Sequence, residues 1–105
     1  MSGESENPKP KKDRLDLIPR AALLEMAKGL EEGAEKYAPW DYRRTGIAYS
    51  DYIASALRHI IAFADGEDVD PESPINKSHI AGALASLAIL ADSIRRGYGL
   101  DDRVS

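Results

Sequence analysis

"HIAGALASLAILADSIRR", residues 79–96, is apolar almost all the way round a helix. Ile80, Ala81, Leu84, Leu87, Ala88, Ile89, Leu90, Ala91 and Ile94 leave only a narrow polar edge. A helix apolar on most sides needs partners on most sides. Ser78 is placed to cap its start and Gly97 to end it. Its alanines and Gly82 permit close packing. A short chain supplies too few helices to cover it. The expected fold is therefore all-α: a small bundle of three main helices, assembling as a homo-oligomer through this last helix.

The other two helices lie upstream. "DYIASALRHIIAFAD", residues 51–65, follows Ser50 as a candidate N-cap and carries an apolar stripe of Ile53, Ala56, Leu57, Ile60, Ile61 and Ala64. Gly66 is placed to end it. "RLDLIPRAALLEMAKGLEEGAEKY", residues 14–37, has Pro19 where a first helical turn tolerates it. Leu23, Met26, Ala27, Leu30, Ala34 and Tyr37 recur at helical spacing, which predicts an amphipathic helix of about 17 residues. Gly29 and Gly33 weaken a helix interior. They imply close approach of another backbone or an early end. No strand signal competes. Residues 1–13 read as a disordered polar tail, residues 14–97 as one helical domain and residues 98–105 as a short polar tail.

The totals narrow the function classes. The chain has 105 residues, enough for one domain. A domain of this size buries only about two-thirds of its unfolded surface, so association is a plausible way to bury more. Cysteine is absent, which removes disulfides, thiolate zinc sites and a cysteine nucleophile, and fits a reducing cytoplasm. No apolar run reaches the roughly 18 to 20 residues of a membrane span. The opening "MSGESENPKPKKDR" has no apolar core of a secretory signal. A net charge of −4 disfavours a nucleic acid polymer as partner.

Four groups of residues carry candidate chemistry. Glu32 and Glu35, with Glu31 beside them, form a helical Glu-x-x-Glu able to hold Mg²⁺ through oxygen ligands. On an ideal helix they fall roughly 120 to 180° from Leu23 and Leu30, a solvated face unless a second subunit covers it. Glu31 is nearer the apolar edge. The next helix supplies no second acidic pair, although a two-metal site needs several converging acids. "GEDVDPES", residues 66–73, gathers Glu67, Asp68, Asp70 and Glu72. It departs from the calcium-loop pattern and reads as a cation site, as a solvated turn, or as a partner for nearby arginines. His59 and His79 are the only histidines, too few for a histidine-built metal centre, and each is suited to hydrogen bonding a phosphate or base. Finally, "EKYAPWDYRRTG", residues 35–46, gathers Tyr37, Trp40, Tyr42, Arg43 and Arg44. Aromatic rings stack bases and arginine forks match phosphates. With Arg58 they make a nucleotide-recognition set, one of Tyr37 and Trp40 being expected instead to plug the end of the bundle.

"RLDLIP", "GAEKYAPW", "ALRHIIAFADGEDVDPES" and "HIAGAL", in that order, resemble a phage and prophage family, the N-terminal domain of dATP/dGTP diphosphohydrolases. The likeness covers about residues 14–92. The family is similar in character to the all-α nucleoside triphosphate pyrophosphohydrolases, helical and oligomeric. The resemblance implies nucleotide handling, and in the host bacterial cytoplasm if the chain is phage-encoded. By position it points to Arg14, Asp16, Lys36, Tyr37, Trp40, Arg58, His59, Glu67, Asp68, Asp70, Glu72 and His79. The chain departs from the pattern at "APWDYRR", where Asn-Trp is usual, at the insertion in "PESPINKSH", and at Gly82, where a second histidine is often found.

Two readings from different classes follow. In the first, the chain binds and sequesters a small-molecule nucleotide without any cofactor. A cyclic or ADP-ribose-derived immune signal, soaked up as an anti-defence sponge, is the form the phage resemblance implies. Its ligand-binding residues are Arg14, Lys36, Tyr37, Trp40, Arg43, Arg44, Arg58, His59 and His79. In the second, the chain is a Mg²⁺-dependent dATP/dGTP diphosphohydrolase releasing dNMP and pyrophosphate. Glu32, Glu35 and Asp70 would be catalytic, and Glu31, Glu32, Glu35, Asp68 and Asp70 would hold the metal. An interaction protein with no small ligand is a third reading.

Overall fold

A computed structural model describes residues 11–104 and is all-α. After a 3-10 turn at Leu15–Leu17 come α1 (Arg20–Tyr37), the short α2 (Asp41–Thr45), α3 (Tyr49–Ala64) and α4 (His79–Arg96). Among the described residues there is no strand, only two isolated bridges. Most of the expected disordered tail, residues 1–10, lies outside the described residues.

The helices begin and end for reasons mostly written locally. Ser78 caps α4 by accepting from the Ala81 N–H at 2.9 Å, and Gly97 closes it in the left-handed region at φ 75°. α1 runs through Gly33 and does not end early. The start of α3 differs from expectation. The helix already includes Ser50, and the capping acceptor comes from the far end of the chain. Asp102 accepts from the Ser50 N–H at 2.8 Å and from its hydroxyl at 2.5 Å. Leu100 pairs with Ile47 and Tyr49 through backbone bonds of 2.7 and 3.0 Å, which holds residues 98–102 against the α3 start. A carboxylate at that N-terminus also meets the positive end of the helix dipole.

α4 lies in the middle. It packs on α1 and on α3, which have little direct packing between them. The buried positions of α4 are small or polar: His79, Ala81, Gly82, Ala83, Ala85, Ser86 and Ser93. Gly29 of α1 faces them. A Cβ there would fall 2.4 Å from the Ala81 carbonyl oxygen and 2.7 Å from the Ala85 Cβ, so this glycine allows the backbones to meet. Gly33 has nothing within 4 Å of such a Cβ.

The large apolar side chains point elsewhere. Leu24 is 56% exposed on α1, Ile61 58% on α3 and Ile94 52% on α4. Among the described residues no large side chain is fully buried. The apolar stripes read from the sequence are real. Their positions, however, face mostly outward from a single chain, while small residues make the helix contacts.

Candidate functional site

Because α1 and α3 flank α4 without closing on each other, an open groove of about 900 Å³ remains between them. Its floor is α4, through Gly82, Ala85, Ser86, Ile89 and Asp92. Glu31, Glu32, Lys36 and Tyr37 line it from α1, and Tyr52, Ser55 and His59 from α3. Trp40, Tyr42 and Arg43 close one end. This is the size of an ordinary small-ligand pocket.

The α1–α2 connection is strained where it borders the groove. Ala38 has φ 98° and ψ 149°, a region that glycine alone adopts readily, and Trp40 sits in the left-handed region at φ 62°. Asp92 anchors this end. It accepts the Tyr42 hydroxyl at 2.5 Å and a bidentate fork from Arg43 at 2.8 and 2.9 Å. The Arg43 bonds chiefly, then that of Tyr42, hold its carboxyl below its ordinary pKa. The Arg43 guanidinium also lies 4.2 Å from the Trp40 ring centroid. Trp40 and Tyr37 are both more than 60% exposed, so neither plugs the bundle end.

The opposite end is ionic. Lys77 is buried, and its Nζ donates to Glu32 at 2.6 Å and Asp70 at 3.1 Å. Ser73 donates to Glu32 and accepts the Lys77 N–H at 3.0 Å. Burial pushes the Glu32 carboxyl up, but Lys77 and Ser73 outweigh it and leave the pKa below the ordinary value. For Asp70, burial is again outweighed, by the Glu72 N–H and Lys77. Burial pushes Lys77 down, and the two carboxylates more than reverse this. Nearby, Ser78 donates to Glu25 at 2.5 Å. So α1 turns a polar face, Glu25 and Glu32, toward the loop ahead of α4. The expectation that Glu32 lies on a solvated face is corrected here: the covering element is this chain's own loop. Of the acids of residues 67–72, Asp70 engages Lys77 and Glu67 engages His79, while Arg43 and Arg44 are held by Asp92 and Asp41.

Of the nine expected ligand-binding residues, Lys36, Tyr37, Trp40, Arg43 and His59 line the groove. Arg14 is exposed and paired with Asp16, and Arg44 lines a shallow recess beside residues 98–100. Arg58 and His79 do not border the groove, although His79 meets His59 behind it. Of the expected metal ligands, Glu31 and Glu35 are exposed on α1 and Asp68 on the loop. Glu32 and Asp70 come together, but across the Lys77 ammonium. Within one chain these acids do not fit a shared Mg²⁺ cluster. Sequence reasoning missed Lys77, Tyr52, Ser55, Ser86 and Asp92. Asp92 had a signal: a lone acid in an almost wholly apolar helix needs a partner. Lys77 had none.

The profile of the family "dATP/dGTP diphosphohydrolase, N-terminal" matches residues 2–103. The chain belongs to that family. No curated protein and no solved structure matches it. The matched stretch contains the four helices of the described residues and the groove. No helix among its described residues is long and apolar enough to cross a membrane.

Proposed function

We propose that this domain binds a nucleotide in the α1–α3 groove and holds it intact. The observation that carries the reading is the make-up of that groove. The exposed rings of Tyr37 and Trp40 and the Lys36 ammonium border an open space of about 900 Å³. The carboxylates that hydrolysis would require are instead dispersed or neutralised by Lys77. Base stacking on either ring and phosphate contact with Lys36 need no metal. Sequestration of a cyclic or ADP-ribose-derived signal is one form of this function, consistent with the accessible groove. The outward apolar faces of α1, α3 and α4 support self-association of the domain as part of the same reading.

The family description and the position of Glu31 at the groove favour a second reading, Mg²⁺-dependent cleavage of dATP or dGTP to dNMP and pyrophosphate. It requires acids from another subunit to complete the site. The two readings separate in one experiment. The protein is incubated with dNTPs, cyclic dinucleotides and cyclic ADP-ribose isomers, with Mg²⁺ or with EDTA, and bound and free nucleotides are identified by mass spectrometry. Intact ligand recovered under both conditions is expected. Monophosphate and pyrophosphate formed only with Mg²⁺ would replace binding by hydrolysis.

A further inference from the structure

The only two histidines of the chain meet. His59 on α3 and His79 at the start of α4 bring their Nδ1 atoms to 2.9 Å, with ring centroids 5.2 Å apart. Local structure explains the approach. A Cβ at Gly82 would fall 2.6 Å from the His59 ring, so this glycine leaves the space the imidazole fills. The loop ahead of α4 folds back through Asp70 N–H to Lys77 carbonyl (3.0 Å) and His79 N–H to Asp68 carbonyl (2.9 Å). That return brings Asp70 to the pair: a carboxylate oxygen and one nitrogen of each ring lie within 4.8 Å of one another.

A second observation concerns the outer nitrogen of His79. Its Nε2 lies 2.7 Å from the Glu67 carboxylate. A carboxylate there fixes the proton on Nε2, so in the neutral ring Nδ1 carries a lone pair. This is the usual orienting contact of a metal-bound histidine. His59 turns its own Nδ1 toward that atom at 2.9 Å.

We propose that His59 Nδ1, His79 Nδ1 and the Asp70 carboxylate bind a divalent transition-metal ion, with Glu67 orienting His79. Imidazole ligands favour the later first-row metals, whereas Mg²⁺ and Ca²⁺ take oxygen. At a metal–nitrogen distance of about 2.1 Å, adjacent ligands lie ~3.0 Å apart in an octahedron and ~3.4 Å apart in a tetrahedron. The observed 2.9 Å between the two histidine nitrogens matches the octahedral spacing, and the Asp70 oxygen, within 4.8 Å of them, would move in as the third ligand. His59 also lines the groove, which sets the ion at the groove's ionic end. The proposal does not depend on which nucleotide, if any, the groove takes.

Co²⁺ alone is the probe. Untagged protein, stripped with EDTA, is titrated with Co²⁺ and followed by calorimetry and by the visible d–d bands. One ion per chain is expected, with the weak absorption of six-coordinate Co²⁺ and no displacement by excess Mg²⁺. His59→Ala should abolish uptake, Glu67→Gln should weaken it roughly 10–100-fold, and Asp65→Asn should leave it unchanged. Helix content by circular dichroism checks that each variant is folded. If His59→Ala unfolds, paramagnetic broadening of the two imidazole resonances in the wild-type protein decides the question without a variant. No stoichiometric uptake, displacement by Mg²⁺, uptake surviving in folded His59→Ala, or imidazole signals untouched by Co²⁺ would each overturn the assignment.

Discussion

Lys77 Nζ lies 2.6 Å from Oε2 of Glu32, joining the loop ahead of α4 to the middle of α1 across 45 residues of sequence. Asp70 and Ser73 complete the contact. The pair borders the groove but does not leave its charges free for a ligand. Its role is to fix the loop, and with it Asp70 and the start of α4, against α1.

Removing the shared cation strands two carboxylates. Lys77→Met should lower stability by about 3 kcal/mol, because a buried ion that loses its partner keeps its desolvation cost. Glu32→Gln should cost less, since Asp70 still faces the ammonium. Urea unfolding of both variants and of the double variant measures the coupling. Additive losses would mean that the two side chains do not interact.

The same network sets a pH dependence. The folded pKa values of Glu32 and Asp70 are lowered. Their contribution is complete above the unfolded values near about 4 and is lost as pH falls through the lower folded values. Lys77 is raised, so its contribution is complete below about 10.4 and is lost as pH rises through the folded value. His59 is lowered, so the folded state resists its protonation and a first, smaller loss begins below about 6.5. The melting temperature should be flat between roughly pH 7 and 10 and fall on both sides. In Lys77→Met the losses below about pH 4 and above about pH 10.4 should both shrink.

Two glycines on one helix should respond oppositely to alanine. At Gly29 the added methyl meets the Ala81 carbonyl oxygen and the Ala85 Cβ. Gly29→Ala should destabilise by about 1–2 kcal/mol after allowing for better helix propensity. Gly33→Ala enters open space within a helix and should stabilise by about 1 kcal/mol. Thermal melts of the two variants test the α1–α4 contact directly.

The helices were legible because their signals are local: Ser78, Gly97 and the three-and-four spacing lie within each segment. Which face of each helix packs inward was not. Leu23 and Tyr37 belong to the strongest apolar stripe of α1, yet both are largely exposed, and Gly29 makes the contact instead. Periodicity locates an apolar face but does not say which partner covers it. The aromatic end of the groove was likewise readable from "EKYAPWDYRRTG". The ionic end was not, because Glu32, Asp70 and Lys77 are brought together only by the return of the loop. His59 and His79 were visible as single residues, and their meeting depends on the space above Gly82.

If bases stack on the exposed rings, Trp40→Ala should weaken nucleotide binding by about 1–3 kcal/mol, roughly 5- to 150-fold in Kd. Tyr37→Ala should act similarly if both rings are used. Lys36→Met should weaken a triphosphate more than a nucleoside, whereas Arg44→Met, whose side chain faces away from the groove, should change neither. Calorimetry with dGTP and deoxyguanosine separates the base and phosphate contributions. Equal loss of both ligands on removing Lys36 would rule out its phosphate contact.

The outward apolar faces lead to the last prediction. Leu57, Ile60 and Ile61 lie on one side of α3, each close to half exposed or more, and Leu87 and Ile94 are similarly exposed on α4. Single exposed leucines are common, but several on adjacent turns of two neighbouring helices suggest a face that is covered in the working protein. Light scattering after size-exclusion chromatography should therefore give a mass that is a multiple of 11.5 kDa. Ile61→Glu should shift the mass toward one chain, because a charge buried without a partner strongly opposes association. The substitution touches an exposed position, so the isolated chain should keep its helix content. A monomeric wild-type protein would remove both the association and the idea that another subunit's acids complete the groove.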